Sequence, residues 1–373
     1  MNLSAERMIS YLISVITGQR SNLPASLTRF FLLILEQLFR LLVKIRTFLY
    51  QQGLIKSRDL SCQVISVGNI VSGGSGKTPL VKYLAEELRQ KGKEVVVVSR
   101  GYGATSSKPV VVADRSKLLL EREMVGDEAY MLAGFLPGIP VVTGKDRWQA
   151  GQLALERFAP QVLLLDDGFQ HWRLKRDLDI VVIDAINPFG YFHLIPRGFL
   201  REPLTALKRA DVLIISRANQ VSTEIIKEIK VKLREYNKKA QLLTSRYRPE
   251  YIRELDFNGA QYFNPTMIRG EAVLAFSGLG NPASLRGTLD ELGAKIIEYC
   301  SFPDHYRYRE QDFLDLIERA RENRLSWLIT TEKDAVKINQ VMLQHLLGSG
   351  CRLGILGIEV ELEGELTALE KLS

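Results

Sequence analysis

The sequence predicts an α/β protein. Its main body is a parallel sheet flanked by helices, with a second, smaller α/β domain and an N-terminal amphipathic helix. Three observations carry this prediction. Short β-branched runs alternate with helical stretches from residue 54 onward, which argues a parallel sheet covered on both faces. A Gly-rich turn, Gly73-Gly74-Ser75-Gly76-Lys77-Thr78, joins the first of these strands to a helix. Ahead of both, Leu27–Tyr50 is dense in Leu, Phe and Ile yet carries polar residues at helical spacing.

The chain has 373 residues, 46% of them hydrophobic and 25% charged, a globular composition with length for one large and one small domain. Its net charge of +7 suits nucleic acid, an anionic bilayer or a phosphorylated substrate, and does not choose among them. The cysteines Cys62, Cys300 and Cys351 are scattered, with no CxxC pair and no zinc-ligand spacing, as expected of thiols in a reducing cytosol.

The apolar run Met8–Thr17 follows Glu6 and Arg7 but lacks a small-residue cleavage site, so an export signal is not expected. Within Leu27–Tyr50 the longest uncharged core, Phe30–Leu35, stops at Glu36, far short of the roughly 20 residues a membrane span requires. Arg29, Glu36, Arg40, Lys44 and Thr47 leave Phe31, Leu35, Leu38, Leu42 and Ile45 mostly on the opposite side of a helix. Such a helix either packs on its own domain or lies in a headgroup layer with its basic residues near lipid phosphates. Phe39, Phe48, Leu49 and Tyr50 widen the apolar arc beyond what one core contact needs.

Gln63–Val67 is the first strand, and the helix Pro79–Lys91 follows the Gly-rich turn. Glu94–Ser99 is a second buried strand. Strand-like runs return at Gly138–Thr143, Gln161–Leu165, Asp179–Asp184 and Asp211–Ser216. Charge and turn residues thicken at Arg246-Tyr247-Arg248-Pro249-Glu250, which reads as a linker. The expected units are an N-terminal helical segment (1–53), a core (54–245) and a smaller C-terminal domain (246–373). In the last, strands are expected at Ala272–Phe276, Lys295–Tyr299, Trp327–Thr330 and Gly354–Leu362, with helices at Pro282–Leu292 and Glu310–Asn323.

The small residues of Gly73–Thr78 let successive backbone N–H groups turn inward around phosphate oxygens. Lys77 can reach β- and γ-phosphates, and Thr78 offers a hydroxyl to Mg²⁺. Val71 stands where the strict pattern has its first Gly. A P-loop also needs a carboxylate on a neighbouring strand, and Gln161–Leu165 ends in Asp166-Asp167-Gly168. Gln170 and His171 follow, with groups able to orient water or substrate, whereas Asp184 reads as structural.

A guanine-reading Asn-Lys-x-Asp motif is missing. Thr331-Glu332-Lys333-Asp334 has the wrong spacing, and Ser216-Arg217-Ala218-Asn219 the wrong residues. These residues alone leave open both a kinase and a membrane-surface ATPase switch. Nucleic-acid binding is disfavoured, since no basic-and-aromatic module or recognition-helix pattern appears.

The order of motifs resembles the tetraacyldisaccharide 4'-kinases of lipid A biosynthesis across most of the chain. The resemblance rests on Gly68-Asn69-Ile70 leading into Gly73–Pro79, then Ser99-Arg100-Gly101-Tyr102-Gly103 and Val125-Gly126-Asp127-Glu128. Asp166-Asp167-Gly168-Phe169-Gln170-His171 and Leu200-Arg201-Glu202-Pro203-Leu204 follow, and then Phe302-Pro303-Asp304-His305-Tyr306 and Thr331–Lys337. Val71 also matches that family's habit of lacking the first P-loop Gly.

The resemblance implies transfer of the ATP γ-phosphoryl group to the 4'-hydroxyl of a tetraacylated glucosamine disaccharide 1-phosphate, with Mg²⁺. A kinase of another acyl-sugar or polyprenyl carrier is the nearest variant. By position, Asp127 would accept the hydroxyl proton, oriented by His305 from the second domain. Lys77 and Arg201 would steady the transferring phosphoryl group. Gly73, Gly74, Ser75, Gly76, Lys77 and Thr78 would cradle ATP, and Thr78, Asp166 and Asp167, assisted by Glu128, would hold the metal. Gln170, His171 and Arg147 are candidates to contact substrate. The family's membrane-associated N-terminal helix corresponds to Leu27–Tyr50, placing the protein on the cytoplasmic face of the inner membrane, with no nucleic acid and no obligate protein partner. Because Asp127 and His305 lie on different expected domains, their meeting would require closure over substrate.

Overall fold

Two helices open the chain, α1 (Leu3–Ile16) and α2 (Leu23–Gln51). Asn22 caps α2 by accepting the Ala25 N–H at 3.2 Å, and Pro24 occupies the first turn, where its missing N–H costs nothing. This computed structural model describes all residues except 1–2, 107, 121, 258, 280–281, 304–305 and 373. The side chains of 3–7, 9–10, 123 and 371–372 are also left aside.

The core follows as β1 (Gln63–Gly68), α3 (Lys77–Gln90), β2 (Val95–Ser99), β3 (Val110–Ala113), α4 (Arg122–Val125), α5 (Asp127–Phe135) and β4 (Val141–Thr143). It continues with α6 (Arg147–Phe158), β5 (Val162–Asp166), β6 (Leu178–Asp184), β7 (Val212–Ser216) and α7 (Thr223–Tyr236). Strands β7, β6, β1, β5, β2 and β4 lie side by side and parallel, and β3 closes the edge antiparallel.

Alternation within each strand feeds two cores. Ile65, Val67, Val95, Val97, Val162 and Leu164 pack with Leu80, Val81, Leu84, Ala85 and Leu88 of α3. Val64, Val96, Val98, Leu163 and Leu165 pack with Ala150 and Ala154 of α6. A sheet buried on both faces needs such continuous apolar runs, and they hold the strand ends rigidly in register.

The remaining elements are β8 (Gln241–Asp256), β9 (Gly259–Phe263), β10 (Ala272–Ser277), α8 (Ala283–Leu292), β11 (Lys295–Ser301), α9 (Glu310–Glu322), β12 (Trp327–Thr331), α10 (Glu332–Ala335), α11 (Gln340–Gln344) and β13 (Arg352–Glu363). Here the structure departs from the sequence reading. Residues 246–250, expected as a linker, lie inside the 16-residue strand β8. Arg246, Arg248 and Glu250 face outward while Ser245 and Tyr247 are buried, so the charge run is the wet face of a strand. Pro249 is tolerated because it sits at a register shift opposite Gly357 and Ile358.

Strand β8 joins two sets of parallel strands. Gln241–Thr244 pairs parallel with β7, and Thr244–Leu255 pairs antiparallel with β13. Strands β13, β12, β10 and β11 then run parallel to one another. The antiparallel step reverses direction, so the C-terminal ends of both sets face a common cleft beside the middle of β8. Val360, Ala368 and Leu369 return to the core of the first lobe.

Helix α2 turns the ordinary amphipathic arrangement outward. Of its 29 residues only Ala25, Leu32 and Glu36 are buried, whereas Phe30, Phe31, Leu38, Leu42 and Phe48 are each more than half exposed. No helix among the described residues is long and apolar enough to cross a membrane.

Candidate active site

The cleft between the lobes has a volume of about 430 Å³. From the first lobe it is lined by Gly73–Thr78, Arg100, Glu128, Asp166, Asp167, Arg201 and Arg217. Tyr247 and Tyr251 of β8 form its floor, and Thr331, Glu332 and Lys333 its far wall. In α/β sheets this crevice beyond the strand C-termini is where ligands bind.

The Gly-rich loop leaves β1 and enters α3 at Gly76, whose φ of +83° suits glycine. A Cβ there would also lie 1.8 Å from the Tyr247 hydroxyl. Asn69 Nδ2 donates to the Val71 carbonyl and to Ser75 Oγ at 2.5 and 2.7 Å, and the Ser72 N–H donates to the Phe199 carbonyl at 2.7 Å. From the neighbouring strand ends, Ser216 Oγ donates to the Ser75 carbonyl at 2.9 Å and Arg217 to the Gly74 carbonyl at 2.7 Å. Arg217 is itself paired with buried Asp184. With the Gly74 and Ser75 carbonyls tied back, and the Ser75 N–H donated to the Gly73 carbonyl at 3.1 Å, the loop is shaped to turn its neighbouring N–H groups toward a phosphate, and the α3 N-terminus adds favourable dipole.

Asp167 takes both oxygens of its carboxylate to Arg201, at 2.9 and 2.8 Å, and lies 3.6 Å from Lys77 Nζ. Burial opposes its charge, but Lys77 and Arg201 outweigh burial and hold the carboxyl well below the usual range. Asp166 is in the opposite situation. Burial first, and then the Glu128 charge, push it up to about 7. Its Oδ1 is buried and has no hydrogen-bond partner. An orphaned carboxylate oxygen among phosphate-binding groups fits a hard divalent cation such as Mg²⁺. Among the described residues no cluster of three or more His, Cys, Asp or Glu side chains could hold a metal. An ion at Asp166 would therefore complete its shell with phosphate oxygens, water and the Thr78 hydroxyl.

Asp127 is the first residue of α5, and Arg122 Nε lies 3.8 Å from it. Arg122 also donates to the Val336 carbonyl of the second lobe at 2.8 Å, so Asp127 sits on the seam between the lobes. Glu128 is 3.9 Å from Lys333 across that seam, and of the two acids only Glu128 lines the cleft. His305 falls outside the described residues. Three residues before it in sequence, the Phe302 N–H donates to the Ser277 carbonyl at the end of β10, at 2.9 Å.

The three candidate substrate contacts are engaged with protein atoms. Gln170 Nε2 donates to the Asn69 carbonyl at 2.7 Å. His171 Nε2 accepts the Arg147 N–H at 3.2 Å at the start of α6, and burial lowers its pKa to about 4, so the ring is neutral near pH 7. Arg147 is buried, its pKa lowered by that burial to about 10, and it donates to the Gly144 and Asp166 carbonyls at 3.2 and 3.4 Å. Together they brace the loops carrying Asn69 and Asp166.

Sequence reasoning missed Tyr247 and the lashing by Ser216 and Arg217. The signal for the latter was present. Ser216 and Asp184 end adjacent buried strands in register, and a buried Arg beside a buried Asp needs a partner. The segment set aside as a failed base reader thus fastens the phosphate loop.

What converges on this cleft serves a nucleotide's phosphates, which puts the chain in the class of P-loop nucleotide-binding proteins suited to phosphoryl chemistry. Comparison with known proteins narrows the class. The sequence model of the tetraacyldisaccharide-1-P 4'-kinase family matches residues 28–372, and the chain belongs to that family. A tetraacyldisaccharide 4'-kinase from Halothermothrix orenii is 43% identical over 368 residues, covering 96% of each chain. One from Syntrophus aciditrophicus is 41% identical, covering 85% of this chain and 86% of its own. The crystal structure of an "apo" form LpxK from Aquifex aeolicus in complex with ATP superposes with a TM-score of 0.70 at 34% identity. It covers 92% of this chain and 98% of that one.

Proposed function

We propose that this chain is an ATP-dependent kinase that transfers the γ-phosphoryl group to the 4'-hydroxyl of tetraacyldisaccharide 1-phosphate, a step of lipid A biosynthesis. The observation that carries the reading is the Lys77–Asp167–Arg201 charge cluster beside the Gly-rich loop, at the mouth of a cleft closed by a second lobe. It accompanies membership of the 4'-kinase family.

Phosphoryl transfer passes through a loose transition state, so catalysis is chiefly alignment and charge neutralisation. Backbone N–H groups of Gly73–Thr78 bind the phosphates, and Lys77 and Arg201 stabilise charge on the transferring group. When bound at Thr78 and Asp166, with Asp167 and Glu128 nearby, Mg²⁺ supplies further neutralisation of the phosphate oxygens. Asp127 accepts the hydroxyl proton, and His305 strengthens it as a base. Asp127's place on the seam supports this role, because the second lobe already reaches Arg122 beside it and its further closing over substrate would exclude water. The same reading divides the chain into a membrane-associating segment (1–53), a kinase core and a closing lobe.

The outward apolar face of α2 supports attachment to one leaflet without a span. Peripheral placement on the cytoplasmic face of the inner membrane then brings the cleft to its lipid. The test is to incubate the purified protein with γ-labelled ATP, Mg²⁺ and the lipid in detergent. A labelled bisphosphorylated lipid is expected. ATP hydrolysis indifferent to lipid, with no labelled lipid, would reject the kinase in favour of an ATPase switch.

A further inference from the structure

The 29-residue helix α2 sends one carboxylate inward from an otherwise outward-facing apolar surface. Glu36 is fully buried, though an acid facing a protein interior costs free energy unless its oxygens are well partnered. Its partners are specific. Oε2 meets His193 Nδ1 at 2.8 Å, and Oε1 accepts the Leu194 N–H at 3.2 Å and a bond from Arg40 one turn along the helix.

Those two residues open the loop that ends at Arg201. The Leu200 N–H donates to the His193 carbonyl at 3.0 Å, and the Ile195 N–H to the Leu200 carbonyl at 2.9 Å. The turn closes tightly at Gly198, where a Cβ would lie 2.4 Å from the His193 carbonyl oxygen. The next residue, Arg201, donates its backbone N–H to the Ile70 carbonyl at 2.7 Å and its guanidinium to Asp167. An unbroken run of hydrogen bonds and one peptide link therefore joins Glu36 to Arg201. Arg46, further along α2, donates to the Gln170 carbonyl at 2.7 Å, so the helix also touches the loop that follows Asp167.

We infer that Glu36 is a positioning residue for Arg201: through His193, Leu194 and Leu200 it sets the place of the guanidinium against Asp167 and the transferring phosphoryl group. The outward-facing helix is thereby part of the active-site scaffold as well as a surface for lipid. A guanidinium displaced by about 1 Å can cost on the order of a hundredfold in rate with little loss of substrate binding. The inference rests on the active-site role given to Arg201 above.

The experiment is a double-mutant cycle on the full-length protein with detergent-dispersed lipid at saturating ATP, alongside thermal melting. Glu36→Ala should lower kcat about 10- to 100-fold and leave the KM for ATP within about threefold. Glu36→Ala combined with Arg201→Ala should be no slower than Arg201→Ala alone, since an arginine that is gone cannot be misplaced. Glu36→Gln, which keeps an acceptor for the Leu194 N–H, should recover most of the rate. If Glu36→Ala does not fold, His193→Ala carries the same cycle, because that ring is part-exposed and its loss opens no core. Unchanged kcat in these variants, or losses that multiply in full with Arg201→Ala, would overturn the inference. Wild-type kcat in Arg201→Ala itself would instead overturn the active-site reading.

Discussion

Arg201 holds both oxygens of Asp167, at 2.9 and 2.8 Å, and the two residues come from loops following different strands. Asp167 thereby fixes the guanidinium at the edge of the phosphate loop, with Lys77 3.6 Å from the same carboxylate. Both contacts are made by one nitrogen, Nη1, so the planar guanidinium can hold Asp167 and still offer its other nitrogens to a phosphate, which the single nitrogen of a lysine cannot do.

Arg201→Lys should therefore keep the charge and lose the alignment. The expected effect is a fall in kcat of about 10²- to 10³-fold, the range for removing one oriented charge from a transition state, with ATP binding weakened far less. Steady-state kinetics and ATP titration measure the two separately. Equal losses in kcat and affinity would make Arg201 a plain binding residue.

Gly76 and Tyr247 make a second close pair. A side chain at Gly76 needs φ of +83° and collides with the Tyr247 hydroxyl. Gly76→Ala should lower stability by about 1–3 kcal/mol and impair ATP binding, measured by denaturant unfolding and titration. Adding Tyr247→Phe removes the colliding oxygen and should restore part of the stability. No recovery would mean that backbone conformation alone decides the position.

Much of the first lobe was legible because its signals are local. The strand, Gly-rich turn and helix at 63–90 are read from neighbouring residues, as is the Asp pair ending β5. Strand β8 was hidden because Arg246, Arg248, Glu250 and Pro249 carry turn chemistry, and only pairing with β7 and β13 makes them a strand. Tyr247 was lost with it. The role of Arg217 depends on Asp184 and Gly74, which are distant in sequence and joined only by the strand order. For α2 the amphipathic pattern was plain, but which face turned outward depended on the burial of Glu36 at His193 and Leu194.

Asp166 should make metal binding sensitive to pH. Its carboxyl, raised to about 7 by burial and by Glu128, holds a proton below that pH which a cation must displace. Apparent Mg²⁺ affinity in the presence of ATP should fall about tenfold per pH unit below 7, with release of about one proton on binding. Calorimetry in buffers of different ionisation enthalpy measures that proton. Affinity flat from pH 5.5 to 7.5 would exclude Asp166 as the ligand that titrates.

The exposed face of α2 predicts a separation of attachment from folding. Phe31, Leu38 and Leu42 each→Gln should leave the melting temperature within a few degrees, because these side chains are already exposed. Each contributes on the order of 1.5–3 kcal/mol when fully buried in lipid, so with all three replaced together vesicle partitioning should fall at least a hundredfold. Cosedimentation with anionic vesicles reads the result. Undiminished binding would place the attachment elsewhere.

The most direct test of the proposed chemistry is rapid-quench kinetics of Asp127→Asn with γ-labelled ATP and tetraacyldisaccharide 1-phosphate. Removing the proton acceptor while keeping its shape should slow appearance of label on the lipid by about 10²- to 10⁴-fold, with ATP affinity unchanged. Label reaching the lipid at the wild-type rate would contradict the account.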